Sequence, residues 1–445
     1  MTAEHAAGTL LGVDMVWVAV VVFVATYAVI VSEKINRAIV ALMGAGLMIV
    51  LGVLNQEAAI HGIDFNTLGL LTGMMVIVAI SRRSGVFQYV AVWSAKKVQA
   101  RPWGILVMLS VVTAVFSALL DNVTTVLLIA PVTLLITEEL KVKPYPFLFA
   151  EIFASNIGGT ATLIGDPPNI MIGSAVKLSF NDFLFNLAPI TPLILVMTLV
   201  VIYFVWGRDM TAEEKAMQRV MHFNEREAIT DVRLLKQSLF VISLVVIGFV
   251  SAHSIGLEPA TIAMAGAALL LLLTSLGNDP EEQSENVHKS FGEVEWVTIF
   301  FFVGLFILVY GLERVGILEV LAEEVIKLTG GDLTLTAMAI IWVSAIFSAI
   351  VDNIPFVATM IPVIKSMAPT FGGAEQLMPL WWSLALGACL GGNGSLVGAS
   401  ANLIVAGYAE RAGHRMEFLK FMALAFPLML VSIVVASGYV YLRFL

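Results

Sequence analysis

The chain has 445 residues, 59% of them hydrophobic and only 13% charged, with a formal net charge of −9. Soluble domains carry about 45–50% apolar and about 25% charged residues, so a water-soluble globule of this size is excluded. The apolar content would suffice for at most about 13 spans of about 20 residues, which marks a polytopic membrane protein. Its few, scattered cations exclude a nucleic-acid partner, and the single Cys389 excludes both an internal disulfide and a thiolate cluster for a soft metal.

Residues 1–14 contain no Lys or Arg and so lack the charged start of a secretory signal. Residues 15–31 are therefore predicted as a retained span, followed by spans at about 36–54, 66–80, 183–206, 237–254, 258–276, 296–312 and 418–442. Four further apolar stretches are interrupted by polar or helix-breaking residues. These are 103–137 at Asp121-Asn122, 147–175 between Gly158 and Asn169, 335–367 at Asp352-Asn353, and 378–406 between Gly391 and Asn402. Residues 207–236 form the one sizeable charged stretch, predicted as a cytoplasmic linker helix with Thr211 and Glu214 at capping-box spacing. The acidic loop 278–295 is predicted as a solvated connector.

The interruptions recur at a fixed distance. FSALLDNVTTVLLIAPV at 116–132 matches FSAIVDNIPFVATMIPV at 347–363 with an offset of 231, and GGTATLIGDPPNI at 158–170 matches GGNGSLVGASANL at 391–403 with an offset of 233. Gly73, Arg83 and Gly85 match Gly304, Arg314 and Gly316 in the same register. Secondary transporters are often duplicated in this way, with broken helices near the midplane of each half. If 103–137 and 335–367 are re-entrant hairpins, the loops at 32–37, 81–101, 138–145, 207–236, 277–295 and 407–420 share one side and hold 19 of the 24 Lys and Arg residues. The positive-inside bias makes that side cytoplasmic. The expectation is an all-α protein of the cytoplasmic (inner) membrane with ten crossings, two re-entrant hairpins and two broken helices, both termini outside. It is divided into an N-terminal repeat 1–206, a linker 207–236 and an inverted C-terminal repeat 237–445.

Asp121 and Asp352 carry the sharpest chemistry, because an intramembrane carboxylate must be protonated, paired or exposed to a water-filled cavity. Each also stands where it can cap the second helix of its hairpin, and the two roles are compatible. Asp166 has Ala399 as its counterpart, so an acid present in one half only becomes a third candidate for the coupling proton. Gly159 and Gly392 let backbone approach a ligand closely. Asn122, Asn353, Thr160, Thr162, Asn169, Asn393, Ser395 and Asn402 supply neutral donors and acceptors for a substrate. Glu138, Glu139 and Glu151 are expected near the membrane surface, and His61, His253 and His414 in solvated loops. No catalytic residue, metal site or cofactor is expected. A protease dyad of Asp121 and Asp352 is disfavoured, since Leu163 stands where intramembrane aspartyl proteases carry the first Gly of Gly-x-Gly-Asp. No Walker A motif is present either.

At the two Asp-Asn tips and at Gly165-Asp166-Pro167-Pro168-Asn169, the chain resembles the arsenite efflux permease (ArsB) family of the ion transporter superfamily and its relatives, the melanosomal P protein and the NhaD-type sodium/proton antiporters. The resemblance runs from about residue 66 to the C-terminus. Dicarboxylate carriers of the same superfamily have Ser-Asn-Thr at these tips, whereas this chain has Asp121-Asn122-Val123 and Asp352-Asn353-Ile354. The resemblance implies a transport element of hairpins and broken helices moving against a scaffold, with substrate held between the tips. It further implies export of arsenite or antimonite coupled to H+ entry, or alternatively exchange of Na+ for H+. Homodimeric assembly in the lipid bilayer and an optional partnership with an arsenite-stimulated ATPase complete the expectation.

Overall fold

The computed structural model describes residues 9–10, 13–32 and 34–445. The expectations for the start of the chain at residues 1–8, for the location of the N-terminus and for the side chain of His253 lie outside the described residues. Apart from a two-residue antiparallel ladder, Thr9–Leu10 with Val13–Asp14, the described residues form only helices as regular structure.

Met15–Ser32 and Arg37–Val50 lead into the short Gln56–His61, then Phe65–Arg82 and Val86–Lys97. Next come a helical hairpin, Pro102–Leu119 and Asn122–Leu140, and a broken helix, Tyr145–Gly159 and Pro167–Val176. Phe180–Asn186 and Thr191–Val205 close the first half. The succession recurs as Val232–Ile255, Pro259–Ser275, Pro280–Gly292, Trp296–Arg314 and Ile317–Leu328. It continues with the hairpin Leu333–Ile350 and Asn353–Ser366, the broken helix Met378–Gly391 and Ser400–Arg411, and the final Phe418–Phe444. Phe180–Asn186 and Thr191–Val205 together stand where the second half has the single helix Phe418–Phe444.

Eight of the described helices are long and apolar enough to cross a membrane. The predicted spans 36–54 and 258–276 are realised as the shorter Arg37–Val50 and Pro259–Ser275. The predicted span 183–206 is bent by 51° between Phe180–Asn186 and Thr191–Val205, because Pro189 and Pro192 remove two backbone donors and disfavour helix in the residues before them. The capping box at Thr211 does not form. The linker helix begins only at Glu214, and its cap residue Glu213 makes no side-chain cap bond.

Two helices of each half pack on helices of the other, the arrangement expected of a scaffold. Phe65–Arg82 packs on Pro259–Ser275, and Trp296–Arg314 packs on Arg37–Val50. The contact is backbone to backbone at two equivalent glycines: a Cβ on Gly73 would lie 2.7 Å from the Ala263 carbonyl carbon, and one on Gly304 would lie 2.6 Å from that of Ala41. Small residues at such crossings let helices approach where no hydrophobic effect drives them together. Outward-facing side chains such as Trp17, Val50 and Leu442 are exposed, which suits contact with lipid.

Several cationic loops meet at one end of the molecule. Lys96 pairs with Glu225 at 2.5 Å, Arg219 with Glu139 at 3.2 Å and Arg83 with Glu293 at 3.5 Å, and the Thr230 amide donates to the Ser84 carbonyl at 3.1 Å. The Lys96 ammonium holds the Glu225 carboxyl below its ordinary range. Glu138 is exposed and Glu139 half-buried at this end, and His61 and His414 are exposed. Glu151 departs from expectation: it is 1% exposed, and its carboxylate accepts from the Thr133 hydroxyl of the first hairpin. Helix Tyr145–Gly159 is buried along almost its whole length, so its second turn already lies inside the protein.

The glycine crossing gives a stability test. Gly304→Ala forces the two scaffold helices apart at a cost of roughly 1–3 kcal/mol. It should lower the melting temperature of the purified protein, while Gly438→Ala, with nothing within 4 Å of the added methyl, should not.

Candidate functional site

Each hairpin reverses over two residues, and its Asp caps the returning helix. Asp121 Oδ1 accepts from the Thr124 amide at 2.7 Å, and Thr124 Oγ1 donates to Asp121 Oδ2 at 2.5 Å. Asp352 Oδ1 accepts from the Ile354 amide at 3.2 Å. The capping role and burial coincide, since Asp121 is 4% exposed.

The broken helices lie behind these tips. Gly158 and Gly391 press on the backbones of Ala114 and Ala345, so a Cβ at either would meet main chain within 2.6 Å. Ser117 Oγ donates to the Ser155 carbonyl at 2.6 Å, and the equivalent Ser348 Oγ to the Ala388 carbonyl at 2.7 Å. Thr162 and Ser395 hydroxyls each donate at 2.5 Å to the hairpin carbonyls of Ala118 and Ala349. Unwound backbone at membrane depth must be satisfied by protein, and Asn169 and Asn402 do this. Asn169 Nδ2 donates to the Thr160 and Thr162 carbonyls at 3.2 and 2.9 Å, and Asn402 Nδ2 to those of Gly392 and Ser395 at 2.7 and 2.8 Å. The repeated pattern thus builds the same local structure twice.

The two halves join through amides. Asn122 Nδ2 donates to Asn156 Oδ1 at 3.1 Å, and Asn156 Nδ2 donates across the junction to Asn393 and Asn402 Oδ1, both at 3.0 Å. Asn353 Nδ2 crosses the other way to the Asp166 carboxylate, at 3.3 and 3.4 Å. Cys389 Sγ donates to Asn169 Oδ1 at 3.5 Å. Asp166 is fully buried, and Asn393 Nδ2 is buried without a partner. The candidate residues are therefore assembled in one junction, but not all face open space. Asn169, Asn402, Thr162 and Ser395 hold the unwound backbone, Thr160 Oγ1 donates to the Asn156 carbonyl at 2.7 Å, and Gly159 and Gly392 face the neighbouring unwound strand.

Among the cavities that open to the surface is one of about 420 Å³ whose lining includes Arg37, Val123, Thr298, Asp352 and Ser400. Arg37 Nη1 lies 2.6 Å from Asp352 Oδ2 and 2.6 Å from Ser400 Oγ, which itself donates to Asp352 Oδ2 at 2.9 Å. The guanidinium also stacks 4.9 Å over the Phe301 ring. Arg37 was legible only as a loop charge, although it already fell within the predicted span 36–54. Asn156 and Ser400 were missed as well. An amide in the apolar run before Gly158 and a hydroxyl just after the Gly398 break were the available signals. Among the described residues no cluster of His, Cys, Asp and Glu is placed to hold a metal ion.

The sequence model of the citrate transporter family (CitMHS) matches residues 27–387. An uncharacterized transporter of Mycobacterium tuberculosis is 43% identical over 431 residues, covering 96% of this chain and 98% of the relative. The 46 kDa membrane protein of Mycobacterium leprae is 41% identical over 432 residues, covering 96% and 99%. The human P protein is 32% identical over 507 residues, covering 95% of this chain but 59% of the P protein, so the expected kinship to the P protein is present. Among solved structures, the YdaH transporter of Alcanivorax borkumensis aligns with a TM-score of 0.58 at 15% identity, over 97% of this chain and 98% of that one, a likeness of fold.

The amide junction has a measurable consequence. Asn156→Leu leaves the Asn122 donor and two Asn acceptors without partners, at about 1–3 kcal/mol for each buried orphan. A marked fall in melting temperature is expected; unchanged melting would show that the amide chain does not hold the halves together.

Proposed function

The chain belongs to the CitMHS citrate transporter family and is a multi-pass membrane transporter, and from that premise we propose that it exports arsenite or antimonite in exchange for protons. The observation that supports this reading best is the charge of the open cavity. Arg37, the one cation among the described residues that line it, is matched by Asp352, and Glu295 adds a further acid. A tricarboxylate such as citrate would meet net negative charge there, whereas a neutral trihydroxide meets hydroxyl, amide and carboxyl groups able to bond its three O–H groups. The GDPPN run and the Asp-Asn tips, shared in sequence pattern with arsenite permeases, point the same way.

In this mechanism the repeats 1–206 and 237–445 are inverted about the linker 207–236. The hairpins and broken helices move as one element against the scaffold of Phe65–Arg82, Pro259–Ser275, Trp296–Arg314 and Arg37–Val50. Asp352, Asp166 and Asp121 take up and release the coupling proton. One proton crossing about 150 mV supplies roughly 3.5 kcal/mol, or about 2.5 decades of concentration ratio at about 1.4 kcal/mol per decade, so no ATP is required. The same net negative cavity also favours a second reading, exchange of Na+ for H+, with Asp352, Ser400 and Thr298 offering oxygen ligands to a hard cation.

Flux in proteoliposomes under an imposed pH gradient separates these readings. Arsenite should move against protein-free controls, and Asp352→Asn should return the flux to the control level. Sodium movement without arsenite would transfer the assignment to cation exchange, and citrate movement alone would overturn both.

A further inference from the structure

The ion pair at the floor of the cavity joins four separate elements through one side chain. Arg37 is the first residue of scaffold helix Arg37–Val50. Its guanidinium reaches Asp352 at the tip of the second hairpin and Ser400 at the start of a half-helix, each at 2.6 Å, and Thr298 of scaffold helix Trp296–Arg314 at 3.4 Å. The Arg37 side chain is 24% exposed and that of Asp352 13%, so the pair is shielded enough for its attraction to count.

The duplicated fold supplies an internal control. The residue that opens the matching scaffold helix is Pro259, and the residue that opens the matching half-helix is Pro167. Asp121 therefore has neither an arginine nor a serine at the equivalent places, and its carboxylate turns to Thr124 of its own helix. A cavity of about 320 Å³ lies at the equivalent position of the other half, lined by Leu163, Ile170, Glu258 and Pro259, but its lining does not include Asp121. In inverted-repeat carriers one bundle rocks or gates against the other around the site, and we take the two halves to exchange their present arrangements in that movement. After that exchange Asp352 would stand to Arg37 as Asp121 now stands to Pro259, withdrawn from it.

We propose that Arg37 is a positioning residue that latches the second hairpin and the half-helix Ser400–Arg411 to the scaffold in one transport state only, acting as a built-in counter-ion for Asp352. It rests on the reading of these elements as moving parts, not on the identity of the cargo. Cargo or coupling ion that engages Asp352 competes with Arg37 and releases the latch. An empty carrier is thereby held with this cavity open, while the other half has no corresponding restraint.

The test reads the two cavities directly. Maleimide labelling rates are measured on purified protein carrying either Leu403→Cys, in the wall of the Arg37 cavity, or Ser174→Cys, in the wall of the opposite one. The fully buried Cys389 provides the unlabelled background. Arg37→Gln should lower the Leu403→Cys rate relative to the Ser174→Cys rate by about fivefold or more, the scale of a conformational coupling. Arg37→Lys, which keeps the charge, should stay nearer the parent ratio. Joining Arg37→Gln to Asp352→Asn should give no larger change than either alone. An unchanged ratio in Arg37→Gln overturns the proposal. If that variant does not fold, Asp352→Asn reads the same pair from its other side, and an unchanged ratio there overturns it equally. Failure of arsenite flux would remove the cargo assignment and leave the labelling result standing.

Discussion

Inside a bilayer a backbone group has no water to turn to, and that constraint shapes the centre of this molecule. Two helices break near Gly158–Gly165 and Gly391–Gly398, and every carbonyl freed there needs a protein donor. Asn169 and Asn402 supply the donors from one turn downstream, and the hydroxyls of Thr162 and Ser395 tie each unwound segment to its hairpin. The glycines on each side are required because the hairpin backbone arrives where a Cβ would be. Once these bonds are made, hairpin and broken helix form one unit in each half.

On this twice-built frame the differences between halves stand out. In the repeat alignment Asn156 corresponds to Cys389, Asp166 to Ala399 and Glu151 to Leu384, and Arg37 opens its helix where Pro259 opens the matching one. Residues that match across the repeat maintain the shared architecture, while residues that do not match are free of that duty. Three of these four residues meet the opposite half: Asn156 bonds Asn393 and Asn402, Asp166 receives Asn353, and Arg37 holds Asp352. The asymmetry thus falls where the two halves meet, and of these contacts the one from Arg37 to Asp352 joins a hairpin to the scaffold.

Much of this was legible in the sequence, for physical reasons. The duplicated Asp-Asn tips and glycine pairs mark the breaks because no continuous apolar helix accommodates such runs, and the helix boundaries fall within a few residues of the predicted interruptions. The bend at Pro189 and Pro192 was hidden by the strong hydropathy around it. Burial of Glu151 and the reach of Arg37 were not legible, because both depend on which neighbouring helix lies alongside, and hydropathy carries no such information. Asn169 and Asn402 were read as substrate donors, and the fold occupies their amide hydrogens with its own carbonyls. A polar residue at a break serves the backbone before it can serve a ligand.

Transport by inverted repeats requires the two hairpins to enter the membrane from opposite sides, so the most direct test is their sidedness. Single cysteines at Lys141 and at Thr370, in the loops that follow the two hairpins, are labelled with a membrane-impermeant thiol reagent in right-side-out and inside-out vesicles. Inverted repeats predict that Lys141→Cys reacts only from the cytoplasmic side and Thr370→Cys only from the outside. Reaction of both from one side would contradict the inverted arrangement, and with it the exchange of conformations on which the transport mechanism is built.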